Sequence, residues 1–339
     1  MSTPDRVPAA SPTPVRRLAV LTSGGDAPGM NAAIRGVVRL GRSHGMEVVG
    51  VERGFKGLVQ ADFIALGRRD VGGIVQRGGT LLGTGRFPEF AEEAVQRRAV
   101  AALGAARVDA LVVIGGNGSQ AGAHALQGLG FPVVGIASTI DNDLLGTEVT
   151  LGFATAVETV VEAIDRLRDT ATSHRRIFLV EVMGRDSGFI ALHAAIAGGA
   201  EVCLIPERPV DLDAVMRLLV TAYALKDHAI VVVAEGASPN LVQLAAHFEA
   251  RAAGCGLEDV AIRTTVLGYV QRGGRPSATD RVLAARLAHG ALDALLARRF
   301  GVMVGMRGGE VVLVDLADVV GGVKLPPGDL PGLAEVLAR

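Results

Sequence analysis

Tryptophan is absent from this 339-residue chain, and cysteine occurs only twice, at Cys203 and Cys255. Two cysteines without metal-ligand spacing argue against a disulfide framework and a zinc site, and they indicate a reducing cytoplasm. Neither sign of charge predominates, because 34 lysines and arginines stand against 35 acidic residues. This balance argues against nucleic acid or an anionic membrane as a partner, so any anion site must be local.

Long apolar runs are missing as well. The apolar segments are short, well below the roughly 20 residues that span a bilayer, and we expect no membrane segment. Residues 1–14 are rich in Pro, Ser, Thr and Ala and lack the apolar region of a secretory signal, which predicts a disordered tail. The length suits about two domains, each with its own core.

Short β-branched runs alternate with longer amphipathic stretches, which is typical of βαβ units. Strands are predicted over residues 17–22, 46–51, 110–114, 132–136, 177–182, 201–205 and 229–234. Helix candidates include residues 30–44, 154–170, 212–226 and 278–300. The pattern predicts an α/β fold with doubly wound, mostly parallel sheets, whose ligands bind beyond the carboxyl ends of the strands.

Two glycine-rich loops follow predicted strands and lead into helices, at residues 23–31 and 115–119. Glycines there let backbone N–H groups approach an anion at a helix N-terminus, and a tight turn between strand and helix is the less favoured alternative for the first loop. The spacing of Gly116, Gly118 and Gly122 also resembles a dinucleotide fingerprint, which leaves an oxidoreductase as an alternative. Two phosphate cradles on one sheet favour a nucleotide polyphosphate.

A third loop, residues 138–143, places Asp141 and Asp143 two residues apart after an apolar strand. They are either solvated turn residues or carboxylates that orient or deprotonate an attacking hydroxyl, as phosphoryl transfer requires. Five arginines, several of them beside glycines at predicted strand ends, suit bidentate binding of a second, phosphorylated substrate. The arginines in question are Arg86, Arg176, Arg185, Arg263 and Arg272.

Four segments together resemble the bacterial ATP-dependent 6-phosphofructokinases. They are LTSGGDAPGMNAAIR at residues 21–35, TIDND at 139–143, EVMGR at 181–185 and VQRGG at 270–274. The similarity runs in order from about residue 17 to about residue 314. It implies two doubly wound three-layer α/β/α domains facing each other across a cleft, and a homotetramer. It also implies the glycolytic transfer of phosphate from MgATP to fructose 6-phosphate, giving fructose 1,6-bisphosphate and ADP.

The resemblance also implies roles for single residues. Asp141 matches the base that takes the proton from the sugar 1-hydroxyl, Thr139 lies beside the transferring phosphoryl group, and Arg185 matches a transition-state arginine. Positions that match the ATP site are Gly25, Arg86, Phe87, Gly116, Asn117, Gly118 and Ser119. Positions that match the sugar site, besides these catalytic residues, are Met183, Gly184, Glu235, Tyr269, Arg272 and, from the neighbouring subunit, Arg176 and Arg263.

An effector pocket for ADP or phosphoenolpyruvate is implied at another subunit interface. The positions that match it are Arg35, Arg39, Arg168, Gly199, Glu201 and Lys226, with Glu201 as a candidate ligand of an effector metal. Asp227 stands where the family usually has a second lysine. The lost positive charge predicts a weakened or altered response to an anionic effector.

The chain departs from the family at Asn117, where an aspartate normally helps to hold Mg²⁺, the implied cofactor. A neutral amide offers an oxygen ligand without the charge, which predicts weaker metal binding with catalysis retained. Tyr269 stands where a sugar-site histidine is usual, and its phenol still offers a hydrogen bond. Gly118 and Ser138 replace the aspartate and lysine of pyrophosphate-dependent relatives, which favours ATP as the donor.

Two alternatives remain beside the ATP-dependent kinase. One is a pyrophosphate-dependent phosphofructokinase, and the other is a non-catalytic regulatory homologue that binds a sugar phosphate, for which Asn117 is the support. The predicted ATP-binding domain comprises residues 15–151 and 264–314. The predicted fructose 6-phosphate-binding domain comprises residues 152–263 and 315–339.

Overall fold

The computed structural model describes residues 14–252 and 254–338. Its strands are, in chain order, β1 (Arg17–Thr22), β2 (Glu47–Val51), β3 (Phe63–Ala65), β4 (Ala110–Gly115), β5 (Val133–Ala137), β6 (Ile177–Val182), β7 (Val202–Leu204), β8 (Ala229–Ala234), β9 (Ile262–Val266), β10 (Val302–Arg307) and β11 (Glu310–Asp315). Its helices are α1 (Met30–Ser43), α2 (Gly54–Gln60), α3 (Glu93–Ala105), α4 (Asn117–Gly128), α5 (Phe153–His174), α6 (Phe189–Gly198), α7 (Leu212–Lys226), α8 (Leu241–Ala252), α9 (Ala278–Leu296), α10 (Leu316–Val319) and α11 (Leu330–Leu337). Short 3₁₀ helices cover Pro88–Ala91 and Gly268–Arg272.

The strands form two sheets. The larger sheet has the order β11-β10-β5-β4-β1-β2-β3, and only its edge strands β3 and β11 run antiparallel to their neighbours. The smaller sheet has the order β7-β8-β6-β9, and its strands are all parallel. The predicted α/β fold with mostly parallel sheets is therefore confirmed.

Central strands of both sheets are buried along their whole length. β4 has the sequence ALVVIG and β8 has the sequence AIVVVA, and all of these residues are buried. Such continuous apolar runs form strands that helices cover on both faces, unlike the alternating pattern of half-exposed strands. Apolar side chains accordingly pack in clusters on both faces of the larger sheet.

Several predicted elements agree with the structure to the residue, namely β1, β6, β8 and α7. The helix predicted over residues 278–300 is too long, because α9 ends at Leu296 and Arg298 adopts the left-handed backbone conformation, with φ 54°. The helix predicted over residues 154–170 is too short, because α5 continues to His174. No helix in the described part of the chain is long and apolar enough to cross a bilayer.

One buried carboxylate joins the starts of α5 and α9. Asp280, in the first turn of α9, accepts hydrogen bonds from the backbone N–H groups of Gly152 and Thr155, at 2.8 and 2.9 Å. Ser277 caps α9 by accepting the Asp280 N–H. Free N–H groups at a helix start need such acceptors when they are buried. The junction fixes the beginning of α5, which directly follows the loop that carries Asp141.

The predicted tail lies, for residues 1–13, outside the described residues. The division into two domains stays a prediction, although three features bear on it. β10 and β11 belong to the larger sheet, while α11 packs against α6 and β7 beside the smaller one. β9 extends to Val266, past the residue 263 at which we predicted the second domain to give way to the first.

Candidate active site

A cleft of about 690 Å³ lies where the carboxyl ends of the two sheets face each other. Asp141, beyond β5 of the larger sheet, and Arg185, beyond β6 of the smaller one, both line it. A hydrogen bond of 3.1 Å from the Ser187 hydroxyl to the backbone oxygen of Asp141 ties the two edges together. Every predicted catalytic and ATP-binding residue lines this cleft: Gly25, Arg86, Phe87, Gly116, Asn117, Gly118, Ser119, Thr139, Asp141 and Arg185.

The two glycine loops lie side by side because β1 and β4 are neighbours in the larger sheet. The chain turns to opposite sides of β1 at this point, which makes it a topological switch point, the usual place for a ligand in such sheets. α4 begins at Asn117 with Gly116 before it, and no side chain caps its first N–H groups. These donors are available to an anion at the positive end of the helix dipole.

Gly25 lies at the point where the first loop meets Arg272. A Cβ atom at position 25 would lie 2.4 Å from Nη1 of Arg272, so a side chain there would displace the guanidinium group. Arg272 donates a hydrogen bond of 3.1 Å to the backbone oxygen of Asp26. The missing side chain therefore brings a guanidinium group from the smaller sheet's side against the phosphate-binding backbone.

The loop of residues 138–143 is shaped by Asn142, which adopts the left-handed conformation with φ 52°. Asparagine tolerates that conformation better than most residues. Its side chain also accepts a hydrogen bond of 3.0 Å from the Thr150 N–H. The hydroxyl of Thr139 accepts one of 3.2 Å from the Asp141 N–H. The two aspartates are thus held on a loop that is fixed from both ends.

The electrostatics of the loop suit proton transfer. Burial raises the pKa of Asp141 above its usual value, and the nearby Arg272 opposes that shift. Burial, followed by the charge of Asp141, raises the pKa of Asp143 to about 6. A carboxylate with a raised pKa is a stronger base than a solvated one, and its cationic neighbours favour the ionised form.

Asn117 and Asp143 are hydrogen-bonded across the cleft floor. Nδ2 of Asn117 donates to Oδ2 of Asp143 at 2.8 Å, so the amide presents its nitrogen to the carboxylate. Among the described residues there is no group of three or more His, Cys, Asp or Glu side chains that could hold a metal ion. One or two carboxylates are enough for Mg²⁺ when substrate phosphates supply other ligands. Asp143 fits that requirement, and Asn117 as a direct ligand stays a prediction.

Arg185 is exposed and bound to its neighbour. Its side chain donates to Asp186 at 2.8 and 3.1 Å, and Asp186 also lines the cleft. An ion pair this exposed contributes little to stability, so Arg185 is free to turn toward a substrate phosphate. The sequence reasoning missed Asp186, whose position next to Arg185, the predicted transition-state arginine, was the available signal.

The predicted sugar-site residues gather at the carboxyl edge of the smaller sheet. Met183 and Gly184 follow β6, and Glu235 follows the neighbouring β8, with its N–H bonded to the backbone oxygen of Val182. Tyr269 and Arg272 lie on the 3₁₀ helix that follows β9, and Tyr269 is largely exposed. Buried Gln271 fastens that helix to β6, because its Oε1 accepts the Met183 N–H at 3.1 Å. Sequence reasoning missed Gln271.

Arg176 and Arg263 are not brought to the cleft of their own chain. They lie at the amino ends of β6 and β9, where Phe178 and Arg263 are register partners. Seven residues separate Arg176 from Met183 along an extended strand, which amounts to about 20 Å. Neither arginine lines the cleft.

The predicted effector residues form a cluster only in part. Buried Glu201 lies 2.9 Å from Nζ of Lys226 and 3.7 Å from Nη1 of Arg168. Arg168 also donates to the backbone oxygens of Gly198 and Gly199. Within residues 14–252 and 254–338, no hydrogen bond or ion pair joins Arg35 or Arg39 of α1 to this cluster.

An apolar wall, which sequence reasoning missed, closes one side of the cleft. Phe55 and Phe90 stack with ring centroids 4.1 Å apart, and both line the cleft with Phe87. A Cβ atom on Gly122 of α4 would lie 2.6 Å from the Phe55 ring. The glycine lets α4 approach the wall, which offers a flat ligand group an aromatic surface. The available signal was the position of Phe55 just beyond β2.

Comparison with known proteins agrees with this geometry. The family model "Phosphofructokinase" matches residues 17–295. The chain is 50% identical over 331 residues to an ATP-dependent 6-phosphofructokinase of Thermus thermophilus, covering 96% of this chain and all of the relative. It is 46% identical over 327 residues to one of Clostridium botulinum, with the same coverage.

Solved structures share the fold. A phosphofructokinase of Pichia pastoris aligns with a TM-score of 0.83 and 34% identity over 94% of this chain and 36% of its own longer chain. A pyrophosphate-dependent phosphofructokinase of Marinobacter aquaeolei aligns with a TM-score of 0.82 over 96% of this chain and 92% of its own. Its identity of 21% supports the fold alone.

Proposed function

Because the chain belongs to the phosphofructokinase family, we propose that it transfers the terminal phosphoryl group of ATP to the 1-hydroxyl of fructose 6-phosphate with Asp141 as the base. The observation that carries the proposal is the cleft itself. It combines two glycine loops with free N–H groups, a buried carboxylate and an arginine from the opposite sheet. Phosphoryl transfer depends on these elements, since its catalysis is mainly positioning and charge stabilisation.

Each element has a distinct task in the reaction. Asp141 accepts the proton of the sugar hydroxyl as its oxygen attacks phosphorus, and its raised pKa suits that step. The N–H groups at the start of α4 and the guanidinium of Arg272 stabilise the phosphate oxygens. Arg185 leaves Asp186 to bind the charge that develops on the transferred group. Phe55 and Phe90 provide the surface for the base of the nucleotide.

Two positions support ATP over pyrophosphate as the donor. A Cβ atom on Gly118 would meet nothing within 4 Å, so the space beside it stays open for a nucleotide. A carboxylate there would project into the cleft and repel the inner phosphates. Ser138 is buried at the cleft and its hydroxyl donates to the backbone oxygen of Leu151 at 3.4 Å, so the positive charge of the lysine expected in pyrophosphate-dependent relatives is missing here. The relatives above are ATP-dependent by name.

Kinases of this family require a divalent metal, and Mg²⁺ is the ion we propose. Asp143 would hold it together with the ATP phosphates and water, while Asn117 orients the Asp143 carboxylate through its amide. When bound, the ion neutralises the phosphate oxygens as charge builds up on them.

The sugar 6-phosphate site is completed by a second subunit in this proposal. Arg176 and Arg263 lie at the edge of the smaller sheet that is remote from their own cleft, which supports their binding to the 6-phosphate in a neighbour. We propose a homotetramer acting in the cytoplasm. At a fructose 6-phosphate concentration below the raised KM of Arg263→Ala, a mixture of Asp141→Asn and Arg263→Ala subunits should be more active than either variant alone, because some sites then receive intact residues from both chains.

The test of the proposed function is a coupled assay of the purified protein with ATP, fructose 6-phosphate and Mg²⁺. We expect turnover, and a kcat lowered by about 10²- to 10⁴-fold in Asp141→Asn, the usual contribution of a positioned base. Asp165→Asn, an exposed change on α5, serves as the matched control. Absence of turnover by the unaltered protein, with retained binding of the sugar phosphate, would favour a non-catalytic homologue.

A further inference from the structure

Lys324 contacts the catalytic loop from a distant part of the sequence. It lies in the connection between α10 and α11, residues 320–329, here called the strap. α10 packs beside β10 and β11 of the larger sheet, while α11 packs against α6 and β7. The strap therefore crosses between the two halves of the molecule, and it passes the loop of residues 139–150 on the way.

Three hydrogen bonds attach Lys324 to that loop. Its ammonium group donates to the backbone oxygens of Thr147 and Glu148, at 2.9 and 3.0 Å. Its own backbone N–H donates to the backbone oxygen of Asp143 at 2.8 Å. Both ends of one residue thus hold the loop that carries Asp141 and Asp143.

The same side chain touches the other half of the molecule. Its Nζ lies 4.8 Å from the centre of the Phe189 ring, at the first residue of α6. A cation over an aromatic face is attracted by the ring, more strongly where water is excluded. Arg185 and Ser187 immediately precede α6, and Ser187 is bonded to Asp141. Lys324 therefore bridges the segments that carry the base and the transition-state arginine.

The surroundings of Lys324 suit a long cationic side chain. Only three lysines occur in the chain, Lys56, Lys226 and Lys324, although lysine and arginine together number 34. Burial lowers the pKa of Lys324 to about 8, while the charges of Asp143 and Glu148 act in the opposite direction. A long cationic side chain with several N–H donors can serve two carbonyls and a ring face at once, which a neutral or apolar side chain cannot do.

On these contacts we propose that Lys324 is a positioning residue, which sets the place of the catalytic loop relative to Arg185. The inference rests on the proposed function, since it assigns Lys324 to the same reaction. Lys324 lies behind the loop and does not line the cleft, so it acts through the loop backbone and leaves substrate binding to other residues. A displacement of about 1 Å in such a loop can reduce a rate by about 100-fold.

The test compares Lys324→Met, Lys324→Gln and Lys324→Arg with the control Lys56→Met, an exposed change on α2. We expect Lys324→Met to lower kcat by tenfold or more, with KM for ATP and for fructose 6-phosphate within twofold of the unaltered enzyme. Lys324→Gln should fall in between, and Lys324→Arg should recover most of kcat because it restores a charged donor. Lys56→Met should leave all three constants unchanged.

Thermal unfolding and oligomeric state are measured for each variant. If Lys324→Met does not fold, Lys324→Gln and Lys324→Arg decide the matter by the same criteria. An unchanged kcat in Lys324→Met, a rise in KM alone, or equal losses in the methionine and arginine variants would overturn the proposal. An unaltered enzyme without turnover would refute the proposed function instead, before any variant is compared.

Discussion

Asn117→Asp is the substitution that tests the metal site most directly. It restores the carboxylate usual in the family and removes the amide hydrogen bond to Asp143. The new carboxylate would lie near two acidic groups, since Asp141 and Asp143 share the adjoining loop. Without metal the substitution should therefore destabilise the folded protein, and with metal it should strengthen binding of the ion.

The magnitude follows from the distance and from the pKa of Asp143. Two unit charges 4 Å apart repel by about 4 kcal/mol at an effective dielectric constant of 20. Because burial and Asp141 already raise the pKa of Asp143 to about 6, uptake of a proton would relieve part of that repulsion near pH 7. A divalent ion removes the remainder and gains a second carboxylate ligand. We expect the Mg²⁺ concentration at half-maximal rate to fall by about tenfold, equivalent to about 1.4 kcal/mol.

The assay titrates Mg²⁺ in excess over ATP at fixed concentrations of both substrates. Thermal unfolding is followed in parallel in a chelator and in Mg²⁺, and Asn117→Asp should be the less stable protein only in the chelator. Gln96→Glu is the matched control, because it also converts an amide to a carboxylate in the same cleft, where Gln96 bonds to the backbone oxygen of Phe90. Its magnesium dependence should not change. A magnesium titration of Asn117→Asp that coincides with that of the unaltered enzyme would refute this reasoning.

Three further predictions concern other residues. The folded protein raises the pKa of Asp143 from 3.8 to about 6, so the stability that this group contributes at low pH is lost as the pH rises through 6. At pH 8 in a chelator, Asp143→Asn should therefore unfold at a higher temperature than the unaltered protein, with a gain of up to about 3 kcal/mol in the free energy of unfolding. Equal unfolding midpoints under these conditions would contradict this prediction. Glu201 already binds Lys226 and Arg168, and Asp227 replaces a lysine, so less positive charge is available to bind an anionic effector. ADP should therefore activate the enzyme only weakly in rate assays. Strong activation by ADP that Arg168→Ala abolishes would contradict this prediction. Arg263→Ala should raise KM for fructose 6-phosphate by about 10- to 100-fold, the value of one charge-assisted hydrogen bond, and leave KM for ATP unchanged; a KM for the sugar that stays constant would exclude that contact.

The sequence predicted several fully buried strands correctly, although it missed β10, which is buried except for Arg307. β6 and β8 are nearly continuous apolar runs, and their predicted limits agree with the structure. β9 was missed, because it is the edge strand of the smaller sheet and its sequence, IRTTV, is mostly exposed. β3 was missed for a similar reason, since it has three residues at the other sheet's edge. Edge strands lack the two-sided burial that makes a central strand apolar throughout.

The site was readable where its residues follow strands along the chain. The loops after β1, β4 and β5 were predicted to meet, and they line one cleft. Phe55 and Lys324 were not predicted, because their importance depends on tertiary neighbours. Lys324 contacts Thr147 from 177 residues away in the chain. No local pattern of charge or hydropathy marks such a contact.

The two aspartates of the loop show how one short segment supports two chemical roles. Burial raises the pKa of both aspartates. After burial, the strongest influence on Asp141 is the positive charge of Arg272, which lowers its pKa, whereas for Asp143 it is the negative charge of Asp141, which raises its pKa further. The cationic neighbour suits Asp141 to the proposed role of base, and we expect Asp143 to gain most from a divalent cation. The neutral amide of Asn117 fits this division, because it donates to Asp143 and adds no third negative charge beside the base. We therefore expect the amide at position 117 to leave the proposed base undisturbed and to affect the metal requirement alone.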